Sequence, residues 1–385
     1  MKAILELFVD PRTELQLELS HDSTFLTTPG SSYGYFFQEG VIDFSLAITF
    51  DSIGVDVAAE TELDTSPELK AFHDEEFKKS GKDIYDFNSL PAITKSGHFR
   101  RMALLERIEL GPLTGKVAVD FGTGPWGFAC IFPKLQQASA CIGFDVSAVA
   151  LAQARETTTE ELTERVIYAT SDGDAIPLRD SSVDVFFGGE VVEHVRKPEV
   201  FLQNIARVCK DGATVILTTP NRDALNYLVN KLPYAAGHEH IALMNYWEFI
   251  KKLDIFFDIK DVVGYDTTID PFFDTTLEDD KILDLIQRRA ENYPELASGM
   301  IAVATVNKQK YHMNKKTLIR REYLWSHPLF QIRGDAQVQN LFGGVNGVNL
   351  SPGTSIICQV FAEEISLLFW GHAWSGFVKV LHDEN

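Results

Sequence analysis

Val117-Ala118-Val119-Asp120-Phe121-Gly122-Thr123-Gly124-Pro125-Trp126-Gly127 is the stretch that decides the fold of this chain. A β-prone apolar run breaks into a glycine-rich turn, and a second apolar run, Cys141 to Phe144, ends on Asp145. A strand feeding a glycine turn, with an acid at the tip of its neighbour, is how an open α/β sheet receives a nucleoside-containing cofactor. Glycines let the backbone approach the ligand, and the carboxylate hydrogen-bonds ribose hydroxyls. Gly122-x-Gly124-x-x-Gly127 also satisfies the dinucleotide pattern, and a plain tight turn beside a surface acid would satisfy the same spacing with no ligand at all. Asp120 separates the readings. Two residues before Gly122, its charge would repel a pyrophosphate, whereas it suits a nucleoside whose far end is cationic.

Outward from that turn, strand-like and helix-like runs alternate. A lead-in helix over Phe99 to Leu110 precedes the strand Lys116 to Phe121. A helix is expected after Gly124, then a strand at Cys141 to Asp145 and a helix over Ala148 to Thr163. Short strands follow at Val166 to Ala169 and Val183 to Phe187, a helix at Val200 to Cys209, and a strand at Thr214 to Thr218. Tyr246 to Leu253 is helical, and Phe256 to Val263 and Met300 to Val306 are strands. Strands separated by helices of this length imply parallel crossover units and a doubly wound α/β sheet.

The two ends read differently, so the chain divides at 1–95, 96–310 and 311–385. In 1–95, Leu15, Leu17 and Leu19 alternate with polar residues, a half-buried strand by its period. It pairs in the reading with Ile4 to Val9, and Val41 to Phe50 is a further strand. Ala58 to Asp86 is polar, with helical spacing only around Leu69, Phe72 and Phe77. Beyond residue 311, Thr354 to Phe361 and Ile365 to Trp370 are β-prone after a Gly/Asn-rich stretch, giving a small β unit or lid. Self-association through these β-rich ends is open.

Composition excludes some functions. A formal charge of -20 argues against a nucleic-acid backbone or an anionic membrane as partner, since both demand clustered Lys and Arg. With 45% hydrophobic residues there is ample material for a core. Cys130, Cys141, Cys209 and Cys358 are scattered without metal-ligand spacing and read as reduced structural thiols. Glu6 and Asp10 interrupt the first apolar residues, which therefore make no signal peptide, and the expected location is cytoplasmic.

Taken in order, the motifs resemble those of class I S-adenosylmethionine-dependent methyltransferases, the broad group that includes ubiquinone-biosynthesis and small-molecule enzymes. Val119 to Gly124 resembles that family's first motif, and Gly143-Phe144-Asp145-Val146-Ser147 its second strand. Gly173-Asp174-Ala175-Ile176-Pro177-Leu178 resembles its GDA-x-x-P segment, and Glu190-Val191-Val192-Glu193-His194-Val195 its E-x-x-EHV continuation. Thr218 to Arg222 resembles the end of its fifth strand, and Gly237 to Ile241 its histidine-containing segment. The likeness covers roughly residues 97–308, and Pro125 and Trp126 depart from it inside the glycine turn.

The resemblance implies a Rossmann-like, mostly parallel seven-stranded sheet whose last strand is antiparallel, with β-rich additions at both ends. It implies S-adenosylmethionine held by Asp120, Gly122, Thr123, Gly124, Asp145, Val146, Asp174, Ala175 and Glu190. Asp145 would take the ribose, Asp174 the adenine amino group, and Asp120 and Glu190 the methionine end. Each has a plainer reading. Asp120 and Asp174 are also ordinary turn residues, with Asp172 the alternative if register slips, and Glu190 is also an acid at a helix start. His194, one turn into a helix after the fourth strand, and His238 and His240 on a later loop are the candidates for removing the acceptor's proton. His194 reads equally as a buried histidine holding the fold. Arg100 and Arg101 could clamp the cofactor carboxylate or simply face solvent. Glu190, Glu193 and Asn221 could form a metal site but have no specific ligand spacing, so no metal is assigned and metal dependence stays open. The expected activity is methyl transfer to an oxygen or nitrogen of a small-molecule or sugar-like acceptor. The rivals are a non-catalytic scaffold of the same fold and an NAD-dependent oxidoreductase.

Overall fold

The computed structural model describes residues 2–11, 14–20, 24–28, 33–49, 60–62, 92–224, 240–265 and 280–315, isolated positions within 71–78, and four short strands beyond 330. The N-terminal region gives a short helix, Lys2–Leu5, and strands β1 (Glu18–Leu19), β2 (Phe25–Thr27), β3 (Tyr33–Gln38), β4 (Val41–Thr49) and β5 (Glu60–Glu62). After helix Ala92–Arg107 come β6 (Val117–Phe121), β7 (Ala140–Asp145), helix Ala148–Thr157, a turn of helix at Glu160–Thr163, and β8 (Val166–Thr170). Then follow β9 (Val183–Gly189), helix Pro198–Val208, β10 (Cys209–Pro220), helix Tyr246–Leu253 and β11 (Phe257–Tyr265). Helix Asp280–Asn292, β12 (Gly299–Val306) and helix Lys308–Asn314 complete the central unit.

One sheet runs through all of this, in the order β1-β2-β3-β4-β8-β7-β6-β9-β10-β12-β11, with β5 against β4. Pairing is parallel from β4 across to β10 and antiparallel where β12 lies between β10 and β11. The sheet is therefore mixed and twelve-stranded, not seven-stranded, because the N-terminal strands prolong it past β8. Two parallel pairs, Val41 with Tyr168 and Ile42 with Ala169, make that seam. Phe8, Leu26, Tyr35, Ile42 and Phe44 are buried in the same apolar cluster as Phe121, Phe144 and Phe186, so residues 1–49 share the core of the central sheet. The remaining strands, β13 (Phe330–Arg333) with β16 (Ser355–Cys358) and β14 (Ala336–Asn340) with β15 (Asn346–Leu350), form two separate pairs. Ile365 to Trp370, Leu69, Phe72 and Phe77 lie outside the described residues.

Local departures have local causes. Ile4 to Val9 is not a strand: it starts as helix Lys2–Leu5, and only Phe8 and Val9 make isolated bridges, to Leu178 and Gln16. Of the three alternating leucines only Leu17 is buried; Leu15 and Leu19 face solvent, and the strand shrinks to Glu18–Leu19. Both faces of β6 to β9 are covered, which is why these strands read as continuous apolar runs. Side chains alternate across the sheet, so Val119, Phe121, Ile142 and Phe144 enter one layer while Ala118 and Cys141 enter the other. Asp120 pairs with Gly143, and Asp145 lies two residues beyond, so both acids project on one face at the carboxyl end of the sheet.

Candidate cofactor and acceptor site

The turn after β6 is held by the neighbouring strand. The amides of Gly122 and Thr123 both donate to the carbonyl of Phe144, at 2.8 and 2.9 Å. Gly122 has φ +79, and a Cβ there would stand 3.3 Å from the Val191 side chain, so glycine is required by conformation and by space. At Gly124 (φ +60) a Cβ would come within 2.7 Å of the Trp126 indole, which folds back over the turn.

The expected helix after Gly124 is absent. In its place is a 3-10 turn, Gly124–Trp126, followed by Gly127 at φ +95 and a second 3-10 segment, Pro133–Gln137. Pro125 supplies no amide hydrogen, and Gly127 and Ala129 (φ +55) take left-handed conformations that end helical propagation. The consequence is electrostatic: no long helix starts at the glycine turn, so the macrodipole that favours a pyrophosphate is missing there.

Two carboxylates lock this turn. Asp120 is buried, and its Oδ2 accepts from the Thr123 hydroxyl at 2.8 Å and the Ala129 amide at 2.7 Å. Burial pushes its carboxyl up to about 6, and the nearby charge of Asp145 adds to the rise. Asp145 accepts from the Gly124 amide through Oδ2 at 3.0 Å and from the Ser147 amide through Oδ1 at 2.9 Å. Asp120, Gly122, Thr123, Gly124 and Asp145 thus meet at one point, with half-buried Val146 following. Asp120 retains lone pairs for a ligand, because an ionised carboxylate accepts about four hydrogen bonds.

Asp174 and Ala175 lie on the loop after β8, whose first residue, Ser171, donates its amide to the Asp145 carbonyl at 2.9 Å. The Asp174 amide bonds Asp172 Oδ1 at 3.0 Å, an Asx turn that gives the two acids different jobs. Asn204, buried on helix Pro198–Val208, donates to the carbonyls of Gly173 and Asp174 at 3.2 and 2.8 Å.

Glu190 directly follows β9 with φ +53, a conformation a glutamate adopts only when its surroundings impose it. Its Oε1 accepts from the hydroxyls of Thr218 at 2.7 Å and Tyr265 at 2.6 Å, and Arg101 Nη1 lies 3.7 Å away. Tyr265 reaches it across Gly299, its partner on β12, where a Cβ would stand 2.3 Å from the ring. Arg101 therefore faces Glu190, with the Tyr265 ring 5.8 Å away, while Arg100 pairs with Glu291. Tyr265 and Thr218 carry no role in the sequence reading. Their link to Glu190 spans 75 and 28 residues and leaves no local pattern.

His194 does not lie in a helix. Residues 192–196 form turns, and helix begins only at Pro198. Its ring meets that of His240 at 4.8 Å with the planes at 65°, so those two expected histidines do come together. His238 lies outside the described residues. Fully buried Glu193 accepts from Thr219 through Oε2 at 3.0 Å, and its Oε1 lies 3.8 Å from His194 Nε2 with no hydrogen-bond partner among the described residues. Burial, reinforced by Glu190, raises the Glu193 carboxyl well above the usual range. Glu193, His194 and His240 offer ligand atoms within 4.8 Å of one another and could hold a metal ion. Asn221 is elsewhere engaged: its amide donates to the carbonyls of Glu295 and Ala297 at 3.0 and 2.9 Å.

A mixed α/β sheet with an acid-lined glycine turn at the carboxyl ends of its parallel strands is the architecture of the class I methyltransferases. Residues 119–217 match a family model described as a methyltransferase domain. Among similar proteins are a 37.1 kDa transposon protein of Streptomyces fradiae, 26% identical over 39% of this chain and 42% of that protein, and the mitochondrial ubiquinone biosynthesis O-methyltransferase of Mus musculus. The latter is 30% identical over 30% of this chain and 32% of its own length. The chain therefore spans less than half the length of these relatives. A solved S-adenosylmethionine-dependent methyltransferase from Mesorhizobium loti aligns at 16% identity with a TM-score of 0.41, covering 56% of this chain and all of that one. No described helix is long and apolar enough to cross a membrane.

Proposed function

We propose that this chain is an S-adenosylmethionine-dependent methyltransferase acting on an oxygen or nitrogen of a small-molecule acceptor. The observation that carries the reading is the pairing of Asp120 and Asp145 at one glycine turn, where both carboxylates accept from backbone amides and Asp120 also from the Thr123 hydroxyl. That donor set suits a nucleoside with a cationic far end and disfavours a diphosphate. The assignment keeps Asp145 and Val146 at the ribose, Asp174 and Ala175 at the adenine, and Asp120, Gly122, Thr123, Gly124 and Glu190 at the amino-acid end.

When bound, the cofactor supplies a methyl group on a positively charged sulfur, already activated for displacement. The chain's own residues then have three tasks. Glu190, fixed by Thr218 and Tyr265, sets the floor of the acceptor side. Exclusion of water falls to the segment bearing His240 and Ile241. His194 accepts the acceptor's proton at Nε2. The catalytic unit is 96–310.

Calorimetric titration with S-adenosylhomocysteine and with NAD separates the class from its oxidoreductase rival: micromolar binding of the first and none of the second is expected. Isotope transfer from labelled S-adenosylmethionine to metabolite fractions then distinguishes an enzyme from a binding scaffold. Tight cofactor binding with no label transferred to any fraction would favour the scaffold.

A further inference from the structure

The N-terminal residues lie outside the stretch that the methyltransferase-domain match covers, yet they touch positions flanking both the Asp145–Val146 and the Asp174–Ala175 segments. One contact is at residues 177–179. The Val9 amide donates to the Pro177 carbonyl at 3.1 Å, the Arg179 amide to the Leu7 carbonyl at 2.9 Å, and Phe8 bridges Leu178 between them. Phe8 is fully buried, and its ring meets Phe144, the residue before Asp145, edge-on at 6.3 Å.

A second contact is at the end of β8. The Thr170 hydroxyl accepts from the amides of Phe44 at 2.6 Å and Ser45 at 3.0 Å and donates to Asp43 Oδ1 at 3.1 Å. One donor and two lone pairs are then all used, which fixes the last residue of β8, two positions before the Asp172–Asp174 turn. The third contact is at Ser147. Its hydroxyl caps the helix beginning at Ala148 by accepting from the Ala150 amide at 3.1 Å, and donates to Asp74 Oδ1 at 2.5 Å. Its amide holds Asp145 Oδ1.

Three anchors from one region reach the two loops that follow β7 and β8. We propose that the N-terminal region braces the nucleoside end of the cofactor site, with Asp43 of β4 and Asp74, which lies outside the strands, acting as positioning residues for Thr170, Ser147 and through them Asp145. The inference rests on the cofactor reading above. Its physical basis is preorganisation: loops ordered at folding need not be ordered again on binding, so a ligand keeps more of its contact energy. The brace acts on the adenosine half, because none of its contacts involves Glu190, His194 or His240.

The test uses the full chain with Asp74→Ala and Asp43→Ala, titrated calorimetrically with S-adenosylhomocysteine and separately with adenosine. Each variant is expected to weaken both ligands by the same factor, about fivefold, the net worth of one hydrogen bond. Asp74 is half-buried and, among the described residues, its side chain bonds Ser147, so the melting temperature of Asp74→Ala should stay within about 2 °C of wild type. If Asp43→Ala fails to fold, Asp74→Ala decides alone. Affinities within twofold of wild type for both ligands would overturn the brace while leaving the cofactor reading in place. A wild-type chain that binds neither ligand would overturn that reading and the brace with it.

Discussion

Asp120 is both a structural and a candidate binding residue, and its titration should report on both roles. Its folded carboxyl sits at about 6 against an ordinary 3.8. Below about pH 4 the folded and unfolded chains both hold the proton, and between about 4 and 6 only the folded chain does. Stability should therefore fall as pH rises through that window, by on the order of 3 kcal/mol, and stay level above it. Asp120→Asn keeps a side-chain acceptor for Thr123 and Ala129 and should flatten this slope in melting curves recorded from pH 4 to 8. Binding should run the other way. A cationic ligand needs the ionised carboxylate, so wild-type affinity for S-adenosylmethionine should drop about tenfold per pH unit below about 6. A pH-independent affinity in calorimetry would remove Asp120 from the cofactor site. At this scale the two acids and the glycines were legible because strand, turn and acid are close in sequence. The Glu190, Thr218 and Tyr265 cluster was not, because three strand ends meet only when the sheet is assembled.

Helix Pro198–Val208 shows how an element can be foreseen and its chemistry missed. Its apolar spacing marks a buried face, and Asn204 and Arg207, three residues apart, carry no role in the sequence reading. Both are buried. Arg207 donates to the carbonyls of Ile176 at 2.6 Å and Leu178 at 2.9 Å, and pairs with Asp180 at 2.8 Å, so it ties down the second half of the Asp174 loop. Arg207→Met should cost about 3 kcal/mol, because it strands two carbonyls and breaks a charge-assisted pair. Urea unfolding would register this as a lower midpoint at unchanged slope. A midpoint shift under a tenth of that size would mean the loop finds other donors. The missing helix after Gly124 has the opposite lesson. The generic strand–turn–helix expectation yielded to Pro125 and Gly127, whose backbone limits were already written in the chain.

At the scale of the whole molecule, the decisive feature is that β4 pairs with β8 and makes the N-terminal strands part of the central sheet. A common core running from Phe8 and Tyr35 to Phe186 and Val215 predicts common unfolding. Amides of β3 and β4 should exchange with solvent at rates matching those of β6 and β7, measured by mass spectrometry. A faster-exchanging N-terminal block that melts first would show an independent module instead. The amino-acid sequence alone determined the alternation of strands and helices, the glycine turn, and the identity of its two acids. Those depend on short-range limits: backbone conformations open to glycine and closed to proline, and the two-residue period of a strand. Tertiary structure alone decided how many strands the sheet holds, which hydroxyls fix Glu190, and that His194 and His240 share one corner. Those outcomes depend on which edges and faces meet after long loops close, and a linear pattern carries no record of them.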